Sequence, residues 1–162
     1  MVKVLETPSF LHYIMKVFLV QHAKPKPEEE DSQKSLSQQG IVDAQKVAEF
    51  AKNIKINKIQ HSGKLRAQQT AEILAKSLLI DVVKADVLEP MADPQIWKNR
   101  LEEQSEDVML VGHLPHLAKL ASQLLTQNQE KPVISFKQGG IVCLEKTDHG
   151  WEVAWMVTPE LL

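Results

Sequence analysis

Val17-Phe18-Leu19-Val20, followed at once by Gln21-His22-Ala23, is the stretch from which the rest of the chain is read. Four apolar residues in a row, without alternation, mark a strand buried on both faces, the kind found in parallel sheets covered by helices. Val108-Met109-Leu110-Val111 repeats the pattern and leads into Gly112-His113. Residues 56–60 and the pair Val82-Val83 are weaker strand candidates. Between the strands lie stretches of helical period. Ala44, Val47, Ala48 and Ala51 make one stripe, and Ala67, Ala71, Leu74, Ala75 and Leu78 make a second within residues 65–79. Residues 97–101 and 117–125 are two further helices. Residues 141–145 and 151–157 flank the turn Asp148-His149-Gly150 and form a terminal hairpin. Strands alternating with helices, then a hairpin, predict an α/β fold: a three-layer α/β/α sandwich whose sheet is mainly parallel, with an antiparallel edge strand.

The chain of 162 residues has the length of one domain. Residues 15–162 are read as that domain, and residues 1–14 as an N-terminal extension without chemistry. Glu6, Pro8 and His12 interrupt any signal-peptide core there. Hydrophobic residues at 43%, charged residues at 25% and a net charge of -2 fit a soluble globular protein and argue against a nucleic-acid or membrane partner. Trp97, Trp151 and Trp155 lack the basic neighbours of a base-stacking surface, so they read as packing residues. One cysteine, Cys143, excludes a disulfide framework and fits a reducing cytoplasm. The acidic run Glu28 to Asp31 reads as a solvated loop.

In doubly wound sheets ligands sit beyond the carboxyl ends of the strands. His22 and His113 each follow their strand by two residues, so both project from one sheet edge. Arg66 lies where the loop His61-Ser62-Gly63-Lys64 enters a helix. A cation is disfavoured at a helix start, so an arginine there points either to a bound anion or to a carboxylate partner such as Glu72. His113 and His116 have a spacing that can bind zinc, but no carboxylate stands beside them in sequence, and no metal site is assigned.

In order along the chain, Leu19-Val20-Gln21-His22-Ala23, Leu36-Ser37-Gln38-Gln39-Gly40, Ser62-Gly63-Lys64-Leu65-Arg66-Ala67-Gln68-Gln69-Thr70-Ala71, Val111-Gly112-His113-Leu114-Pro115 and Gly139-Gly140-Ile141 resemble the motifs of the histidine phosphatase superfamily. Within it they are most similar to the small SixA-type phosphohistidine phosphatases. The resemblance spans nearly the whole domain and implies a phosphoglycerate mutase-like fold. It implies His22 as nucleophile, with Gln21, Ser62, Arg66 and His113 around the phosphate and no cofactor or metal. Glu89 is the candidate general acid. The implied substrate is phosphohistidine in a protein partner, or a small phosphorylated compound, with inorganic phosphate as product.

One position departs from that pattern. The family carries arginine immediately before the nucleophile, and this chain has Gln21. Loss of one charge-assisted contact to a transferring phosphoryl group costs about 2.7–4 kcal/mol, a hundred- to thousand-fold in rate. Lys24, Lys26 and Lys64 are candidates to replace the charge. An active enzyme therefore competes with a degenerate phosphate-binding module.

Overall fold

The structure, a computed structural model, describes residues 14–162, so the expected extension lies almost wholly outside the described residues. Six strands, β1 (Lys16–Gln21), β2 (Lys58–His61), β3 (Asp81–Lys84), β4 (Val108–Gly112), β5 (Ile141–Thr147) and β6 (Gly150–Val157), form one sheet in the order β3-β2-β4-β1-β5-β6. The first four run parallel, β5 pairs antiparallel with β1, and β6 pairs antiparallel with β5. The sheet is thus mainly parallel with antiparallel pairing at one edge, as the sequence predicts: β5 runs against the other five strands.

The unbroken apolar run of β1 feeds two cores. Val17 and Leu19 pack with Val108, Leu110 and Leu144 on one face, where helices α3 (Pro94–Glu103) and α4 (His116–Thr126) supply Trp97, Leu101, Leu117 and Leu120. Phe18 and Val20 point to the other face, against α1 (Gln38–Ala51) and α2 (Leu65–Leu78), which contribute Val47, Ala48, Ala67, Ala71 and Leu74. Period-two alternation along a doubly buried strand thus divides its side chains between two helical layers. Small residues line the buried faces of α1 and α2, and Ala67 and Ala71 are fully buried.

β4 lies between β1 and β2, so the chain ends of three neighbouring parallel strands meet at one edge. His22 leaves β1 there, His61-Ser62 leaves β2, and His113 leaves β4.

Candidate active site

His22 is buried, and the backbone around it is tied on three sides. Its N–H donates to the Gly112 carbonyl at 3.1 Å, and the Gly139 N–H donates to the Gln21 carbonyl at 2.9 Å. The next N–H, of Ala23, donates to Thr70 Oγ1 at 3.0 Å, and that hydroxyl donates in turn to the Arg66 carbonyl at 2.7 Å. Thr70 therefore couples the segment bearing His22 to the helix turn bearing Arg66. A role for Thr70 was missed in the sequence, although it stands in the quoted motif.

The ring of His22 is fixed in one tautomer. Nδ1 lies 2.8 Å from the Ala23 carbonyl, an acceptor only, so Nδ1 carries the proton and Nε2 keeps its lone pair. Burial lowers the pKa of His22, which favours that neutral form; the backbone bond to Ala23 opposes the shift and the charge of Arg66 adds to it. Arg66 Nε donates to His22 Nε2 at 3.3 Å.

The His113 ring stands 5.0 Å from that of His22, centroid to centroid, tilted by 50°. Ser62 Oγ lies 2.6 Å from His113 Nε2. Burial, followed by the charges of His22, Arg66 and Lys64, pushes His113 down to about 3. Burial beside positive groups thus favours the neutral form of both imidazoles.

Among the described residues no carboxylate pairs with Arg66, and Glu72 instead accepts from Gln68 Nε2 at 2.9 Å. The carboxylate-paired alternative for Arg66 is therefore not realised. Arg66 also borders an open cleft of about 570 Å³.

Gln21 is buried in the register position opposite Gly112, and its Oε1 has no hydrogen-bond partner. Of the three lysines, Lys64 is the one whose charge reaches His113. Lys24 borders a separate depression with Asp43 and Lys137, and Lys26 acts on Asp31. Glu89 is exposed in the loop after β3, makes no hydrogen bond to His22, Arg66 or His113, and exerts its charge on His116. Asp93 does the same, so carboxylates that are distant in sequence do approach that histidine. Even so, no group of three or more His, Cys, Asp or Glu among the described residues is placed to hold a metal.

In the loop between β1 and α1, Glu28, Glu29 and Glu30 are exposed as a solvated run, while the segment that follows is tied down by specific contacts. Ser37 caps α1 by accepting from the Gly40 N–H at 3.0 Å, and its hydroxyl donates to the Lys24 carbonyl at 2.9 Å. A Cβ on Gly40 would collide with that same carbonyl. The Leu-Ser-x-x-Gly motif thus anchors the backbone just beyond His22.

The family model of the histidine phosphatase superfamily (branch 1) covers this first half of the fold. Residues 17–92 match it. The match takes in the first three of the motifs quoted from the sequence, and those at 111–115 and 139–141 lie beyond it. In three dimensions the chain is similar to the protein histidine phosphatase SixA solved with tungstate: TM-score 0.79, 22% identity, covering 91% of this chain and 99% of that one. The SixA protein of Agrobacterium tumefaciens superposes at a TM-score of 0.72 with 23% identity, over 90% of this chain and 98% of that one. A phosphoserine phosphatase variant from Entamoeba histolytica, solved with phosphoserine, gives 0.67 with 14% identity, over 91% of this chain and 99% of that one. No curated protein sequence matches the chain. The fold is similar to that of these solved phosphatases, and no helix among the described residues is long and apolar enough to cross a membrane.

Proposed function

We propose that the protein is a metal-independent histidine phosphatase that removes the phosphoryl group from phosphohistidine in a protein partner. The observation that carries the reading is the state of His22: Nδ1–H is held by the Ala23 carbonyl, and the Nε2 lone pair is directed at the donor of Arg66. An entering phosphoryl group takes over the guanidinium fork of Arg66, which suits two oxygens at once. Nε2 is then released to attack phosphorus in line, the bond to the leaving nitrogen breaks, and His22 becomes phosphorylated. Water attacks the same phosphorus, inorganic phosphate leaves, and Nε2 regains its lone pair.

His113 answers the charge of the substrate. The positive neighbours that now hold it neutral are offset by a phosphoryl dianion, so it takes up a proton and stabilises the equatorial oxygens. Ser62 orients the ring through Nε2. Glu89 is the carboxylate proposed to assist the leaving group. Its exposed position beside His116 suits a substrate that needs little such help, and a phosphorus–nitrogen bond departs more readily than an alkoxide. That difference favours phosphohistidine over a phosphate monoester.

Gln21 supports a second reading, a module that binds phosphate without turning it over, because its amide supplies no charge where the family has a guanidinium. Turnover separates the two. A phosphohistidine peptide and an aryl phosphate are offered in the presence of a chelator; the enzyme reading expects phosphate release, faster from the peptide, and none from His22→Ala. Phosphate binding without release selects the module.

A further inference from the structure

Arg66 faces two neighbourhoods. Inward it meets His22, and outward it borders the open cleft, whose walls are Ser32, Gln33 and Lys34 of the loop after β1 and Lys64 and Gln68 at α2. A group bound to the phosphoryl at Arg66 therefore has this cleft as its immediate surroundings. Lys34, Lys64 and Arg66 are cations, and no carboxylate lines the cleft.

The loop wall is built rather than incidental. Lys26 N–H donates to the Ser35 carbonyl at 2.8 Å, and Leu36 N–H donates to Gln69 Oε1 of α2 at 2.7 Å. Asp31 is consumed inside the loop, accepting from the backbone of Gln33 at 2.9 Å and of Ser35 at 3.1 Å, and from the Ser35 hydroxyl. Glu28 pairs with Lys34 at 3.5 Å, an exposed contact that a competing carboxylate can replace. Lys64 has no ion pair among the described residues. The acidic run thus shapes the wall while the cleft itself is left to the lysines.

Building on the phosphohistidine substrate proposed above, we infer that this cleft is a docking subsite for acidic side chains flanking the phosphohistidine of the partner protein, with Lys34 and Lys64 pairing with the flanking carboxylates while Arg66 holds the phosphoryl group. Exposed pairs of this kind are individually weak and act on encounter and selectivity, so the signature is a salt-sensitive preference.

Phosphohistidine peptides identical except for Glu, Gln or Lys beside the phosphorylated residue test it. At low salt the wild type should favour the Glu peptide over the Gln peptide by about fivefold in kcat/KM, with the Lys peptide poorest. The preference should shrink at about 0.5 M salt, and also in Lys34→Ala, Lys64→Gln and the double variant. Equal rates on Glu and Gln peptides in the wild type, or a preference undiminished in the double variant, would overturn the subsite. Phosphoimidazole, which has no flank, separates the two levels. Turnover of it without any flank preference overturns the subsite alone, whereas no turnover of any phosphoramidate overturns the substrate reading and the subsite with it.

Discussion

Ser62 and His113 form a side-chain hydrogen bond that links the loop after β2 to the end of β4, with Oγ 2.6 Å from Nε2 across 51 residues of sequence. The other ring nitrogen, Nδ1, is buried without a partner. The orientation of the imidazole therefore depends on this hydroxyl and on packing. Ser62→Ala should lower kcat/KM by about tenfold, the value of one hydrogen bond to a group that becomes charged. Ser62→Thr, which keeps a hydroxyl, should recover most of the loss. Steady-state rates that are equal in Ser62→Ala and the wild type would remove Ser62 from the site.

Gln21 leaves an acceptor buried without a donor at the position where a guanidinium would contact phosphoryl oxygens. Gln21→Arg should raise kcat/KM, by up to about a hundred-fold if the new fork reaches the phosphoryl group. Lys64 is the lysine placed to compensate in the native protein, so Lys64→Ala should slow the reaction while Lys24→Ala and Lys26→Ala leave it unchanged. Comparing the four variants on one aryl phosphate decides the matter. A slower Gln21→Arg enzyme would mean that Lys64 already fills the space.

His116 is fully buried, and neither ring nitrogen has a partner. Burial lowers it to about 4 from an ordinary value of 6.5, with Glu89 and Asp93 pulling the other way. Between those values the unfolded chain binds a proton that the folded chain does not, so stability is complete above 6.5 and declines as the pH falls toward 4. His113, lowered to about 3, extends the decline further. His116→Leu removes one of these groups and should make the acid loss shallower, by on the order of 1–3 kcal/mol between about pH 7 and pH 4. Chemical denaturation at the two pH values reads it directly, and an unaltered slope would show that His116 does not titrate with folding.

Gly40→Ala tests the anchoring of the loop. A Cβ there has to displace the Lys24 carbonyl, which accepts from both the Ser37 hydroxyl and the Ser37 backbone N–H. The variant should lose about 1–3 kcal/mol of stability through overpacking. It should also lose activity, because Lys24 is two residues from His22. Full activity at an unchanged denaturation midpoint would mean that the loop shifts freely.

The sheet was legible wherever burial on both faces left a continuous apolar run, as in β1 and β4. β3 was reduced to Val82-Val83 because it is an exposed edge strand with charged ends, Asp81 and Lys84. The helices with alanine and leucine stripes were placed to within a few residues. His22, Arg66, Ser62 and His113 could be gathered from sequence because each sits at a strand end or helix entry, and the topology brings those ends together. The loop after β1 was not legible in the same way. Its order comes from Asp31, Gln69 and Ser37 side chains bonding to backbone groups, which leaves no periodic signal. The burial of His116 was hidden for a related reason, since a lone histidine at a helix start looks the same whether it faces solvent or core.

In the reaction proposed for this site, His22 Nε2 forms a covalent bond to phosphorus. Acid-labile, alkali-stable label on the protein after rapid quenching from a phosphoramidate donor, with chelator present, measures it most directly. One labelled site per chain is expected at His22, absent in His22→Ala and accumulating when dephosphorylation is slowed. Turnover without any phosphoenzyme, label retained in His22→Ala, or label that appears only with added divalent metal would contradict it.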